Sequence, residues 1–366
     1  MDGHDYIEFH LRMLHNIRDL FIIASLMCFS SSCRWKVEDA GVIYVDLTKA
    51  SLNTIKVDDY PYVLLQSPNL IGTFDRIEFK DEKMLLKTGR DLAMFLTDGT
   101  FCRYVSHFGR SNNEFLSILD FWFDDNGVCL YDMNGKKILT FDTDGNYIDS
   151  FSLTRRADEQ PFQLIIPIGK QYVGKRMYNG LPGYPELSLY NDVFSHVKDI
   201  NASNIHLRSG IYFGSQFARY SPKSVLYNRS FDNKIYEVTC DTAVVRYIVD
   251  FGARSIDVEK YKDEYEILDK INERKYGYST LIDNMEYDNG LMSFSYAYTG
   301  DKNGYRVAVY DNKSKSAWNY AFVSDEQIAC ACMHESMIYV FTQTPDGQTR
   351  LYRIPFVKDA IHQLKE

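Results

Sequence analysis

A chain of 366 residues with 45% hydrophobic content is long enough for one large domain or two ordinary ones and can build a substantial core. Its formal net charge of −9 offers no basic footprint, which excludes a dedicated nucleic-acid binder. The 28 Tyr and 23 Phe suit pleated, half-buried sheet surfaces better than helices.

The first element in chain order is an address. Leu20 to Phe29 is a run of about ten apolar or small residues, against the ~20 that a membrane-spanning helix needs. Arg18 precedes the run and Ser30-Ser31-Ser32 follow it, the layout of a secretory signal peptide. Small residues leading directly into Cys33 resemble the lipobox of bacterial lipoproteins, whose cysteine is diacylated and becomes the mature N-terminus. The resemblance implies a signal peptide over residues 1–33 with lipid attached at Cys33, and then a tether over 34–41. The protein would be held to the outer membrane of the cell envelope by lipid, on a face that is left open. Met13 is a second candidate start, because the residues before it fit no signal-peptide pattern.

Past the tether, Val42–Leu47 reads as an orphan strand. The clearest unit lies at 119–153, where Asn126-Gly127, Gly135 and Asp144-Gly145 separate four β-branched or aromatic runs. Four antiparallel strands in so short a stretch form one propeller blade. Phe95-Leu96-Thr97-Asp98-Gly99 aligns with Phe141-Asp142-Thr143-Asp144-Gly145 at a spacing of 46 (Gly99 to Gly145), a propeller period. Blades are expected over 73–109, 118–153, 162–202, 215–252 and 279–322, with a sixth over 327–354 that is one strand short. The orphan strand is expected to complete it and close the ring. Between blades four and five, residues 255–276 place Tyr261, Tyr265, Leu268 and Ile271 at near-helical spacing behind Ser255 as N-cap. The reading is an all-β, six-bladed propeller over 42–357 with a helical insertion, and a C-terminal tail over 358–366.

Leu130-Tyr131-Asp132, Asn134, Lys137-Ile138 and Phe141 to Gly145 resemble the NHL repeat. More broadly, residues 42–357 resemble the six-bladed propeller lipoproteins of unknown function found in Gram-negative gut-type bacteria. Those relatives carry a Gly-x-Gly-Pro-Gly-Glu-aromatic linker between their first clear blades. Gly109, Glu114 and Phe115 match it here, while Asn112-Asn113 replace its core. The resemblance implies a fold and an address but no activity.

Chemistry is sparse. His107, His196, His206, His334 and His362 do not recur at equivalent blade positions, which disfavours a zinc ring. No Gly-x-Ser-x-Gly, HExxH or phosphate loop is present. No cofactor is predicted, although scattered Asp and Asn leave a calcium ion in the central channel open. Cys330-Ala-Cys332 places two thiols on one strand face, and two small buried residues are the simpler reading. Aromatics carry the binding case: Tyr178 and Tyr184 in a Gly/Pro loop, Tyr296 and Tyr298 on one strand face, and Trp122. The residues favour a lipid-anchored binding or scaffold module that grips a glycan, peptide or partner protein on one propeller face. The alternative is a metal-assisted hydrolase or lyase acting in the central channel.

Overall fold

The Asp-Gly turns do what their alignment implies. Gly99 and Gly145 both take positive φ, at 94° and 78°, a conformation that costs glycine least. In each, the glycine N–H closes the turn onto a carbonyl three residues back, Gly99 onto Leu96 and Gly145 onto Asp142, at 2.9 Å. Each turn also packs on the outer strand of the preceding blade: an added Cβ would meet Val63 at 2.8 Å from Gly99 and Arg103 at 3.1 Å from Gly145.

The computed structural model describes residues 41–69, 71, 76–89, 91–153, 162–176, 185–200, 216–261, 264–273, 277–300 and 304–357. Three short strands come first: β1 (Ile43–Asp46), β2 (Leu52–Lys56) and β3 (Tyr62–Leu65). Blade one is β4 (Ile77–Lys80), β5 (Lys83–Thr88), β6 (Asp91–Leu96) and β7 (Phe101–His107). Blade two is β8 (Ile118–Phe123), β9 (Gly127–Asp132), β10 (Lys137–Asp142) and β11 (Tyr147–Ser152). Blade three holds β12 (Phe162–Ile168), β13 (Gln171–Arg176), β14 (Leu187–Tyr190) and β15 (His196–Ile200). Blade four holds β16 (Phe217–Ser221), β17 (Ser224–Asn228), β18 (Lys234–Thr239) and β19 (Ala243–Asp250). Blade five is β20 (Ser279–Asp288), β21 (Leu291–Tyr298), β22 (Tyr305–Asp311) and β23 (Ser316–Val323). Blade six begins with β24 (Gln327–His334), β25 (Met337–Gln343) and β26 (Thr349–Pro355). The fold is the expected six-bladed β-propeller.

Ring closure differs from the expectation. The strand that completes blade six is β3, antiparallel to β26 with Leu65 opposite Thr349 and Tyr62 opposite Tyr352. The orphan strand becomes β1, which runs parallel to β19 on the outer edge of blade four, with Ile43 opposite Tyr247. Unforeseen β2 runs parallel to β23 of blade five, with Leu52 opposite Asn319. The N-terminal segment therefore wraps three successive blades, covering two open edges and filling a third. Val45 and Val57 anchor the wrap, each 0% exposed.

The core is a set of layers between neighbouring blades. Met94, Val105, Phe121 and Leu139 fill the layer between blades one and two. Trp122, Tyr131, Phe162 and Ile165 fill the next one. The ring closes through Met84, Phe95, Cys332, Tyr339 and Phe341, which pack blade six on blade one. Cys330 and Cys332 are buried in that layer, and the hydrogen bond with Cys330, followed by burial, pushes the Cys332 thiol well up. These are structural thiols.

The insertion between blades four and five contains one helix, α1 (Glu264–Asn272), shorter than the expected span. Ser255 does not cap it; Ser255 ends a 3-10 turn at Gly252–Arg254. The buried face is Ile267 and Ile271 with Leu268, packed on Ile256, Val258 and Phe231. Tyr265 is 69% exposed, because a helix starting at 264 turns that position away from the face shared by 267, 268 and 271.

A charged cavity at the propeller axis

The first strand of every blade lies innermost, and β4, β8, β12, β16, β20 and β24 together enclose a cavity of about 250 Å³. Side chains alternate along a strand, so Arg76, Glu78 and Lys80 share the β4 face that looks toward blade two. Arg76 donates to Glu78 Oε1 from Nε at 3.0 Å and from Nη2 at 2.5 Å, and also to Asp120 Oδ1. Asp120 is 0% exposed. Its Oδ2 accepts the Ile165 backbone N–H at 2.6 Å and its Oδ1 that of Phe121 at 2.8 Å. One carboxylate thus ties blades one, two and three together. Burial pushes the Asp120 carboxyl up to about 6, against the pull of Arg76 and the Ile165 N–H. For Arg76, burial opposes the charge, but Asp120 and Glu78 outweigh it and the pKa is raised.

At the end of the cavity where the first hairpin turns emerge, His334 is 7% exposed and stacks on Phe79 with ring centroids 4.8 Å apart. Its Nδ1 lies 2.9 Å from Glu286 Oε2, and its Nε2 lies 3.1 Å from the Asp81 carbonyl. Both ring nitrogens face acceptors, and only the imidazolium donates from both. Burial works against that charge, yet the hydrogen bond and charge of Glu286 and the Asp81 carbonyl raise the His334 pKa.

Two further cations meet at the same end. Lys80 donates to the Asp124 carbonyl. Arg219, from blade four, reaches blade two, donating to the Phe123 carbonyl at 2.9 Å and pairing with Asp125 at 3.3 Å. Tyr287 also lines the cavity, with its ring centroid 4.5 Å from that of Tyr220, whose hydroxyl accepts from Arg246 at 3.1 Å. Among the described residues no group of three or more His, Cys, Asp or Glu is placed to hold a metal ion.

The sequence matches the model of a domain of unknown function, DUF4934, over residues 42–342. The chain belongs to the DUF4934 family. No curated protein matches this sequence. Among solved structures, this DUF4934 propeller is similar to a candidate exported protein of Bacteroides fragilis, with a TM-score of 0.65 at 13% identity, covering 86% of this chain and 99% of that one. It is also similar to a DUF4221-family member from Bacteroides vulgatus, with a TM-score of 0.55 at 9% identity over 80% of this chain and 95% of that one. At such identities the likeness concerns fold alone.

Among the described residues, those singled out from the DUF4934 sequence do not gather at one place. Cys33, Tyr178 and Tyr184 lie outside the described residues. Trp122 is 2% exposed, packs edge-on to Tyr172 at 6.2 Å and contributes to the cavity wall. Tyr296 is also 2% exposed, and its hydroxyl donates to Asn319 at 3.0 Å, so it is a wedge between blades and no surface platform. Tyr298 is clamped between Arg254 and Arg306, at 4.8 and 4.1 Å from its ring centre. Gly109, Glu114 and Phe115 form a brace. The Gly109 N–H donates to the Phe115 carbonyl at 2.9 Å, and Glu114 Oε2 accepts the Ser111 N–H at 2.8 Å. Phe115 is 3% exposed in the layer between blades one and two. Arg76, Lys80, Arg219 and Glu286 carry no sequence motif. Alternating charges at 76, 78 and 80 were the one available signal, and nothing in the sequence says which strand faces the axis.

Proposed function

We propose that this DUF4934 protein is a binding module of the cell envelope, anchored by lipid on Cys33, whose ligand docks at the mouth of the propeller axis. The observation that carries the reading is the cavity itself, which draws side chains from all six blades, the aromatic Phe79, Trp122 and Tyr287 among them. Aromatic faces with a few convergent polar groups are what small-ligand sites are made of. The carboxylates at the axis support binding over a metal-assisted hydrolase or lyase: Glu78 and Asp120 are taken by Arg76, and Glu286 by His334. The export-type description of the B. fragilis neighbour agrees with an envelope location.

Two experiments test the proposal. Thermal-shift screening of the mature chain against glycans and peptides should give a ligand whose stabilisation, RT ln(1 + [L]/Kd), disappears in Tyr287→Ala. A stabilisation by divalent metal that chelator reverses would favour the hydrolase or lyase. Expression in a Gram-negative host should place the wild-type chain in the membrane fraction and Cys33→Ala in the soluble one; the same fractionation for both chains would remove the lipid anchor.

A further inference from the structure

We infer that His334 is a proton-controlled latch on the mouth of the axis cavity, closed while its imidazole is charged and released from blade one when it is neutral. The inference does not depend on which ligand the mouth takes. It comes from the position of one side chain at the seam where the ring closes. His334 ends β24 of blade six. Its Nδ1 reaches Glu286 of blade five at 2.9 Å, and its Nε2 reaches the Asp81 carbonyl of blade one at 3.1 Å. Phe79, also of blade one, lies flat against the ring, with 17° between the two planes. Three consecutive blades therefore meet at a single buried imidazole.

Two acceptors demand two donors, and only the charged ring has them. When the proton leaves, the remaining N–H goes to the carboxylate, because a charged acceptor makes the stronger bond. Nε2 then turns a lone pair toward the Asp81 carbonyl, so the link to Glu286 survives and the link to blade one fails. The two turns that this link joins carry backbone strain. Asp81 sits at φ 52° in the β4–β5 turn, and Glu335 and Ser336 sit at 45° and 62° in the β24–β25 turn, left-handed conformations that are costly for residues with a Cβ.

The neighbours on each packed element agree on the sign. Glu286 on β20 favours the charged ring, as does Glu335, whose Oε1 lies 3.9 Å from Nε2. Asp81 and Glu82 add exposed carboxylates in the β4–β5 turn. Lys80 on β4 points away, to the Asp124 carbonyl of blade two. Cys332 on β24 keeps its proton, the Cys330 hydrogen bond and burial pushing the thiol well up. Tyr339 on β25, 4.9 Å from Phe79 between ring centroids, is a phenol that burial keeps protonated. Burial opposes the charge on His334, yet Glu286, the Asp81 carbonyl and Glu335 raise its pKa. The latch is thus shut below the ordinary value of about 6.5 and opens as pH climbs through the folded one.

The test is hydrogen exchange of the mature chain, read by mass spectrometry between about pH 5.5 and 8.5 and corrected for the intrinsic rate. Amides of the β4–β5 hairpin should lose protection by roughly tenfold as pH rises, the effect of one charged hydrogen bond, while those of β9 and β10 in blade two stay level. The midpoint should coincide with the His334 pKa read from its imidazole NMR signal in the same chain. His334→Gln should abolish the step, and His107→Gln, a change at a ring whose side chain is 56% exposed, should keep it. A flat wild-type profile while the imidazole titrates would overturn the latch. So would a step that survives His334→Gln, a midpoint that departs from the imidazole, or an imidazole that titrates below the ordinary value. The wild-type titration alone reads the latch if the variant fails to fold.

Discussion

Asp120 shows how a single buried carboxylate can be worth more to the fold than any exposed pair. It meets Arg76 from blade one and the Ile165 N–H from blade three, with no access to water. Replacing it leaves the buried Arg76 with Glu78 as its remaining charged partner. Asp120→Asn should therefore destabilise the protein by about 1.5–3 kcal/mol, the worth of a charged hydrogen bond, measured by urea unfolding. His334 adds a pH dependence of definite sign. Its folded pKa is raised above the ordinary value of about 6.5. The stability it contributes is thus complete below about pH 6.5 and is lost as pH rises through the folded value. In His334→Gln that portion of the alkaline fall should vanish, so the stability gap between wild type and variant should shrink as pH climbs above about 6.5. A gap independent of pH would mean that folding leaves the His334 pKa unshifted, and a gap that widens with rising pH would mean that His334 is held neutral in the fold. The residue scale is also where sequence reading was weakest. Tyr296 is a wedge between blades, while Trp122 is buried in the cavity wall, because a strand residue's pattern is the same whether its face meets another blade, a cavity or solvent.

At the scale of elements, the linker between blades one and two explains why three of its residues go together. A Cβ on Gly109 would sit 2.0 Å from Glu114 Oε2, so any side chain there expels the carboxylate from the Ser111 N–H it caps. Gly109→Ala should lower stability measurably by displacing that carboxylate. Adding Glu114→Ala should then cost little more, since its interaction is already gone; additive losses in a double-mutant cycle would disprove the coupling. Elements were legible where turn chemistry forced them. Each Asp-Gly or Asn-Gly pair proposed as a hairpin in blade two is one, and the blade spans follow from them. The helix was legible in place but not in register, because Tyr261 lies in the stretch before α1 begins and short insertions leave few turns over which a period can be read.

For the whole molecule, the N-terminal wrap is the feature that makes a ring out of six hairpin units. Strands β1 and β2 cover the outer edges of blades four and five, while β3 is part of blade six itself. Deleting residues 42–56 should strip hydrogen-exchange protection from β19 and β23 while the other blades keep theirs. Extending the deletion through Leu65 removes the strand that completes the ring, and should lower the unfolding midpoint of the whole domain sharply and broaden the transition. If the two deletions behave alike, closure does not depend on β3.

The sequence by itself determined the blade count, the hairpins and the insertion point, since these are local: turn residues and two-residue alternation act over a few positions. It also determined that the chain is acidic overall. Only the tertiary structure decided which early strand closes the ring, because β1, β2 and β3 are all short, at four, five and four residues, and any of them could pair with an open edge until the register of the blades is fixed. It alone assembled the axis cavity. Lys80, Arg219, Glu286 and His334 lie in four different blades, far apart in sequence, and become neighbours only when six first strands converge.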